Sequence, residues 1–298
     1  MSRRTRVLVA VLCAAATAMA AAAPANAKTL DLVILGDSYS SGNGAGSYTD
    51  LVCGRSSRVW GQLYAQTLRD RGMTVNVRNN ACGGAITVGG VVPDLQSQVG
   101  AVTAETDLVA LTIGGNDVGF ANIVVQCFAA VSSDPTRCRK AVNDGKNGIP
   151  RVQAAALKIL DQARARLRPG AKIVVLSYPY LSQPSGYVLR GLFDSYRSGQ
   201  GARELGDLGD QAVINAAAAA NAKYGAGFVQ LVPTKDLFVG HEPNPDPYRE
   251  NSATWVWEFT GSGAWPLEFY HPKFAGQQAM AAALLRAAGP SGDFGVAQ

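Results

Sequence analysis

Histidine is nearly absent from this chain: His241 and His271 are the only two in 298 residues. Five cysteines occur, and no two stand in a C-x-x-C spacing. With so few imidazoles and no such thiol pair, no metal site can be composed from the usual ligand sets, and no metal is expected. Charge is also sparse, at 16 % of residues, and no run of Lys and Arg or basic-aromatic stripe exists. Nucleic acid is therefore excluded as a partner. One long apolar run is present, at the start, and nothing comparable follows, so no integral membrane segment is expected beyond it.

That first run has the form of an export signal. Arg3, Arg4 and Arg6 precede an alanine-rich stretch over residues 7–23, and Ala25-Asn26-Ala27 supplies a small-x-small site, so cleavage is expected after Ala27. Cys13 follows Leu12 rather than a small residue and does not suit a lipoprotein site. Residues 28–298 then form a single secreted, extracellular domain of 271 residues, expected to be a monomer. The chain's formal charge of +5 is partly the signal's own, since its loss leaves 24 basic against 22 acidic residues. Four cysteines remain, Cys53, Cys82, Cys127 and Cys138, an even number suited to two disulfides in an exported protein. Three connectivities are possible, the simplest being Cys53–Cys82 with Cys127–Cys138.

Short aliphatic runs at 30–35, 75–77, 108–113, 173–176 and 228–232 alternate with helix-period stretches at 60–71, 152–167, 212–224 and 276–286. Near-continuous apolar strands between helices predict an α/β fold whose parallel sheet is covered on both faces. Segments 180–209 and 241–270, rich in Gly, Pro, Ser and aromatics, fit the alternation poorly and read as long loops. In such sheets ligands bind beyond the carboxyl ends of the strands, so segments that directly follow strands carry the chemistry.

The first strand runs into Gly36-Asp37-Ser38-Tyr39-Ser40, where a serine can project above the sheet. No G-x-S-x-G elbow occurs, which excludes the usual α/β-hydrolase arrangement. Asn80-Ala81-Cys82-Gly83-Gly84-Ala85 follows the second strand and offers a glycine N–H as donor. The third strand ends in Gly114-Gly115-Asn116-Asp117, whose asparagine amide suits a developing oxyanion. If Ser38 is a nucleophile it needs a base, and either histidine can serve. His271 stands in Glu268-Phe269-Tyr270-His271-Pro272, just before the last helix, where Glu268 can orient the ring; His241 follows a strand in Val239-Gly240-His241-Glu242.

In this order, the segments resemble the four sequence blocks of the SGNH (GDSL-type) hydrolase family, particularly its secreted actinobacterial lipase/esterase branch. The resemblance runs from Gly36 to Pro272 and so spans nearly the whole mature chain. It implies a three-layer α/β/α sandwich with a flavodoxin-like parallel sheet, and hydrolysis of carboxylic esters through an acyl-enzyme with no cofactor. Ser38 is then the nucleophile and His271 the base, while the Ser38 and Gly84 N–H groups and the Asn116 side chain form the oxyanion hole. Residues 238–242 resemble a loop of these relatives outside the catalytic set, which favours His271. The family's usual acid is an aspartate three residues before the histidine; here Glu268 stands there, and some relatives use a main-chain carbonyl instead. Relatives often carry a third disulfide before the final block, and this chain has none there. Trp255, Trp257, Phe259, Trp265, Phe269 and Tyr270 either line an acyl groove or pack the core, and for any single ring the core is the favoured reading. A small-molecule or lipid ester, met at a lipid–water interface, is the expected substrate. The alternatives are an acetyl or feruloyl carbohydrate esterase and a non-catalytic binding protein on the same fold.

Overall fold

A computed structural model of the chain describes residues 29–260 and 267–288. The export signal expected at 1–27 and Trp265 lie outside the described residues. Five parallel strands form the central sheet: β1 (Thr29–Leu35), β2 (Thr74–Asn79), β3 (Leu108–Leu111), β4 (Lys172–Leu176) and β5 (Val229–Val232). They lie side by side in the order β2-β1-β3-β4-β5, the doubly wound flavodoxin-like arrangement. The order changes direction at β1 and β3, and the loops leaving those two strands carry Ser38 and Asn116.

Strand alternation explains why the apolar runs are continuous. Leu30, Leu32 and Ile34 enter one core with Leu108 and Ala110, while Val33 and Leu35 enter the opposite core with Val109 and Leu111. Helices α1 (Trp60–Asp70) and α5 (Phe274–Ala288) cover the first face. On the second lie α3 (Pro135–Arg164) and α4 (Ser198–Tyr224), which pack along each other. Between β3 and α3 stands α2 (Phe120–Phe128), part of a third apolar cluster with Cys138, Leu189, Leu205 and Tyr270.

Two expectations need correction. Residues 198–209 are not loop but the first half of α4, and α3 begins at Pro135 rather than near 152. Glycines and Pro150 made both stretches look broken. They serve close packing instead: a Cβ on Gly145 in α3 would lie 2.8 Å from Leu205 of α4 and 3.0 Å from the Val118 carbonyl. Tertiary contact overrides propensity here. Two disulfides, Cys53–Cys82 and Cys127–Cys138, fasten the loops beyond β2 and between α2 and α3.

Candidate active site

The segment that carries Ser38 is held by contacts that leave it little freedom. Gly36, with φ +121°, passes so near β3 that a Cβ would stand 2.5 Å from the Thr112 carbonyl. The buried Gln98 side chain accepts from the Gly36 N–H at 2.7 Å and donates to its carbonyl at 3.0 Å. Asp37 then caps a single helical turn, Ser38–Ser41, by accepting from the Tyr39 N–H. Its buried carboxyl also accepts from Thr112 Oγ1 at 2.8 Å and from the Tyr178 hydroxyl. Burial pushes this carboxyl above the usual aspartate range, against the pull of those hydrogen bonds.

Ser38 begins the turn, and its hydroxyl lies 2.6 Å from Nε2 of His271. Nδ1 of the same ring lies 2.9 Å from the carbonyl oxygen of Phe269. A carbonyl only accepts, so Nδ1 carries the proton and Nε2 presents its lone pair to the serine hydroxyl. Desolvation lowers the imidazole's pKa to about 4, opposed by its backbone hydrogen bonds.

His271 owes its place to a strained turn. Tyr270 adopts φ +61°, an uncommon conformation for a residue with a side chain. Its N–H donates to the Trp257 carbonyl at 2.6 Å, its carbonyl accepts from the Tyr39 hydroxyl at 2.5 Å, and its ring stacks on Phe128. Those contacts hold the left-handed conformation and aim the next residue at Ser38.

The sequence leaves Glu268 and a main-chain carbonyl open as the group beside Nδ1, and in the structure the carbonyl of Phe269 stands there. The Glu268 carboxylate accepts from the Tyr48 hydroxyl at 2.5 Å, and that hydroxyl in turn accepts from the Gly44 N–H. The position beside Nδ1 that an acid would fill belongs to the Phe269 main chain. Glutamate's extra methylene, at this point of a tight turn, carries the carboxylate to Tyr48. His241 is likewise set apart from the serine: its Nδ1 lies 2.6 Å from the Ala253 carbonyl, and its ring stacks on Trp255 at 3.8 Å.

The two expected oxyanion loops come together with the serine loop. Cys82 donates its N–H to the Gly36 carbonyl, and Gly83 donates to Cys53. Gly84 follows at φ +79°. Asn116 donates from Nδ2 to the Ala85 carbonyl at 2.9 Å, and Asp117 accepts from the N–H and hydroxyl of Thr87. Among the described residues no protein acceptor takes the N–H of Ser38 or of Gly84. Tyr178 connects the loops from below, accepting from the Gly115 N–H at 3.3 Å while donating to Asp37. Gln98, Thr112 and Tyr178 go unread in the sequence, and the main-chain carbonyl that the family resemblance allows is not assigned there to Phe269. Thr112, directly after the third strand, and Tyr178, two residues after the fourth, leave a positional signal there; a main-chain carbonyl leaves none.

A cavity of about 310 Å³ opens beside this constellation. Tyr39, Gly115, Phe120 and Tyr178 form its wall nearest the serine, and Ile149 and Leu205 of α3 and α4 form its far wall. The rings of Tyr39 and Phe120 stand 5.1 and 5.4 Å from the imidazole. The described aromatics that read as groove or core do not border it. Trp255 covers His241, Trp257 donates to the Gly44 carbonyl, and Phe259 and Phe269 pack on each other beside Tyr270.

Comparison with known proteins gives the family. A family model described as GDSL-like lipase/acylhydrolase matches residues 34–279. The chain belongs to that family. It is 33 % identical over 284 residues to a lipase of Streptomyces rimosus, covering 93 % of this chain and 95 % of the relative. The crystal structure of the extracellular lipase of that organism superposes with a TM-score of 0.66 at 30 % identity, over 86 % of this chain and 98 % of the other. Phospholipase A1 of Streptomyces albidoflavus does so with a TM-score of 0.66 at 29 % identity, over 85 % and 97 %. As a member of the GDSL-like family, the chain is an ester hydrolase. Among the described residues no helix is long and apolar enough to cross a membrane.

Proposed function

We propose that this GDSL-like hydrolase is a secreted serine esterase that cleaves acyl esters of lipids through an acyl-enzyme, with Ser38 as nucleophile and His271 as base. One observation carries the reading: the 2.6 Å contact from Ser38 Oγ to an imidazole Nε2 whose Nδ1 proton is engaged by a main-chain carbonyl. The Ser38 hydroxyl gives its proton to Nε2 as Oγ bonds to the ester carbon. The oxyanion so formed takes hydrogen bonds from the N–H groups of Ser38 and Gly84 and from the Asn116 amide. Nε2 then returns the proton to the departing alcohol, and a water molecule repeats the cycle on the acyl-serine. The Phe269 carbonyl holds the ring and supports the imidazolium in place of a carboxylate, a role the sequence leaves open to Glu268. The same reading has residues 1–27 removed on export, with the paired cysteines of residues 28–298 suited to an oxidising exterior.

Two expected results follow from the oxyanion and base assignments. Asn116→Ala should lower kcat by about 10²–10³-fold with little change in KM, because the amide is needed only where charge develops. Steady-state kinetics that show a change confined to KM would remove Asn116 from the oxyanion hole. The neutral imidazole is the active form, so activity is lost as pH falls through the enzyme's own value and not through that of free histidine. With a pKa lowered to about 4, the acid limb of kcat/KM should lie near pH 4, well below the 6.5 of free histidine. A limb at the free value would contradict the buried geometry.

The cavity supports the lipid assignment. Its lining is almost wholly aliphatic and aromatic, and it lies against the two rings that touch the imidazole. Each methylene buried there is worth about 0.8 kcal/mol, or roughly fourfold in kcat/KM. An assay across p-nitrophenyl esters should therefore rise from acetate to octanoate, and Ile149→Trp should flatten the rise by filling the far wall. Activity confined to acetyl or feruloyl esters would replace the lipid reading with the carbohydrate-esterase one and leave the serine chemistry intact.

A further inference from the structure

The largest exposed apolar side chains are all at one end of the molecule. Nine described large hydrophobic residues are more than 60 % exposed: eight lie in connections that leave the carboxyl end of a strand, and Val131 lies between α2 and α3, in the crossover from β3 to β4. The four returning loops at the opposite end, 71–73, 102–107, 165–171 and 225–228, expose none. Scattered exposed leucines and valines need no explanation, but scatter would populate both ends.

Contacts gather seven of the nine, all but Val91 and Val239, into two patches. In the first, Leu192 and Phe193, 88 % and 95 % exposed, tip a tight turn closed by Gly191 N–H donating to the Asp194 carbonyl. Asp194 accepts from Thr136 and Arg139, which seats that turn on the start of α3, the helix that Val131 precedes in the chain. Tyr248 joins them by donating its hydroxyl to the carbonyl of Ala130. In the second patch, Leu51 and Val52 project just before the Cys53–Cys82 bond. Asn43 ties this side to Leu267, four residues before His271, by donating to the Leu267 carbonyl at 3.1 Å.

We infer that these tips form an interfacial docking rim that seats the catalytic end on a lipid–water surface. The inference rests on the lipid-ester reading of the site and adds to it the surface by which an insoluble substrate is met. Rigid apolar tips around a site enter the headgroup boundary at little ordering cost, and burial there is favourable in proportion to apolar area. One turn supplies two such tips, and another is held beside a disulfide.

The test uses the Ser38→Ala protein, so that membranes stay intact, sedimented with sucrose-loaded phosphatidylcholine vesicles. Adding Leu192→Ser and Phe193→Ser together should weaken partitioning by about tenfold or more. In the active enzyme the same pair should lower hydrolysis of emulsified trioctanoylglycerol and leave hydrolysis of dissolved p-nitrophenyl butyrate unchanged. Partitioning untouched by the pair, or a Ser38→Ala protein that stays in the supernatant, would overturn the rim. So would a change of oligomeric state on substitution without vesicles, which would make the patch a contact between copies. Vesicle binding by Ser38→Ala alongside a wild-type enzyme inactive on the soluble ester would sink the catalytic reading instead, so the two failures are distinct.

Discussion

Replacing His271 with alanine should reduce kcat on a soluble ester by about 10⁴–10⁶-fold, whereas His241→Ala should retain most activity. The contrast follows from what each ring touches. His271 accepts the serine proton at 2.6 Å and has its other nitrogen engaged by the Phe269 carbonyl. Without it, Ser38 keeps an alcohol's proton at neutral pH and no other imidazole is within the site. His241 donates or accepts only at Ala253 and packs on Trp255, so its loss removes a stacking contact in the loop after β5. Steady-state rates for the two variants decide the matter, and a silent His271→Ala would transfer the base elsewhere. Glu268→Ala, by comparison, should cost far less than His271→Ala, since its carboxylate engages Tyr48.

Ser38→Ala should fall to the same floor, and the double variant with His271→Ala should fall no further. Nucleophile and base act as one unit, so removing either already removes the covalent route. What remains is the contribution of the oxyanion donors and of substrate binding. Kinetics of both single variants and the double variant test this coupling. Losses that multiply would mean that the two side chains act in separate steps, contrary to their hydrogen bond.

The parts of this fold that could be read from residues alone are those where local chemistry and global arrangement agree. Runs such as Leu30–Leu35, where Asp31 is the one polar residue, are nearly all apolar because both faces are covered; β2, at the sheet edge, shows the pattern only at Val75 and Val77. Ser38 and Asn116 are legible because each lies in a segment after a strand that matches a family block in order, and the structure puts both segments where the sheet order changes direction. His271 stood out through the scarcity of its residue type. What escaped reading depends on contacts distant in sequence. Gly145 reads as a helix breaker until Leu205 of α4 is seen against it. Glu268 stays open as a triad acid until its carboxylate is found on Tyr48 and the Phe269 carbonyl beside Nδ1. The aromatic run near 255–270 reads as groove or core until its described members are seen bracing the strained Tyr270 turn and the loop around His241. The cavity is lined instead by residues drawn from strand ends and from α3 and α4, more than a hundred positions apart. No local pattern announces such a surface.

The most direct test of the Ser38–His271 account is covalent. The folded enzyme is incubated with a fluorophosphonate, digested, and the adduct is located by mass spectrometry. The hydroxyl activated by the imidazole should displace fluoride from phosphorus and carry the phosphonyl group, giving a single adduct on Ser38, with Ser38→Ala unlabelled and His271→Ala labelled far more slowly. An adduct on another residue, or labelling of Ser38→Ala at the wild-type rate, would contradict the account.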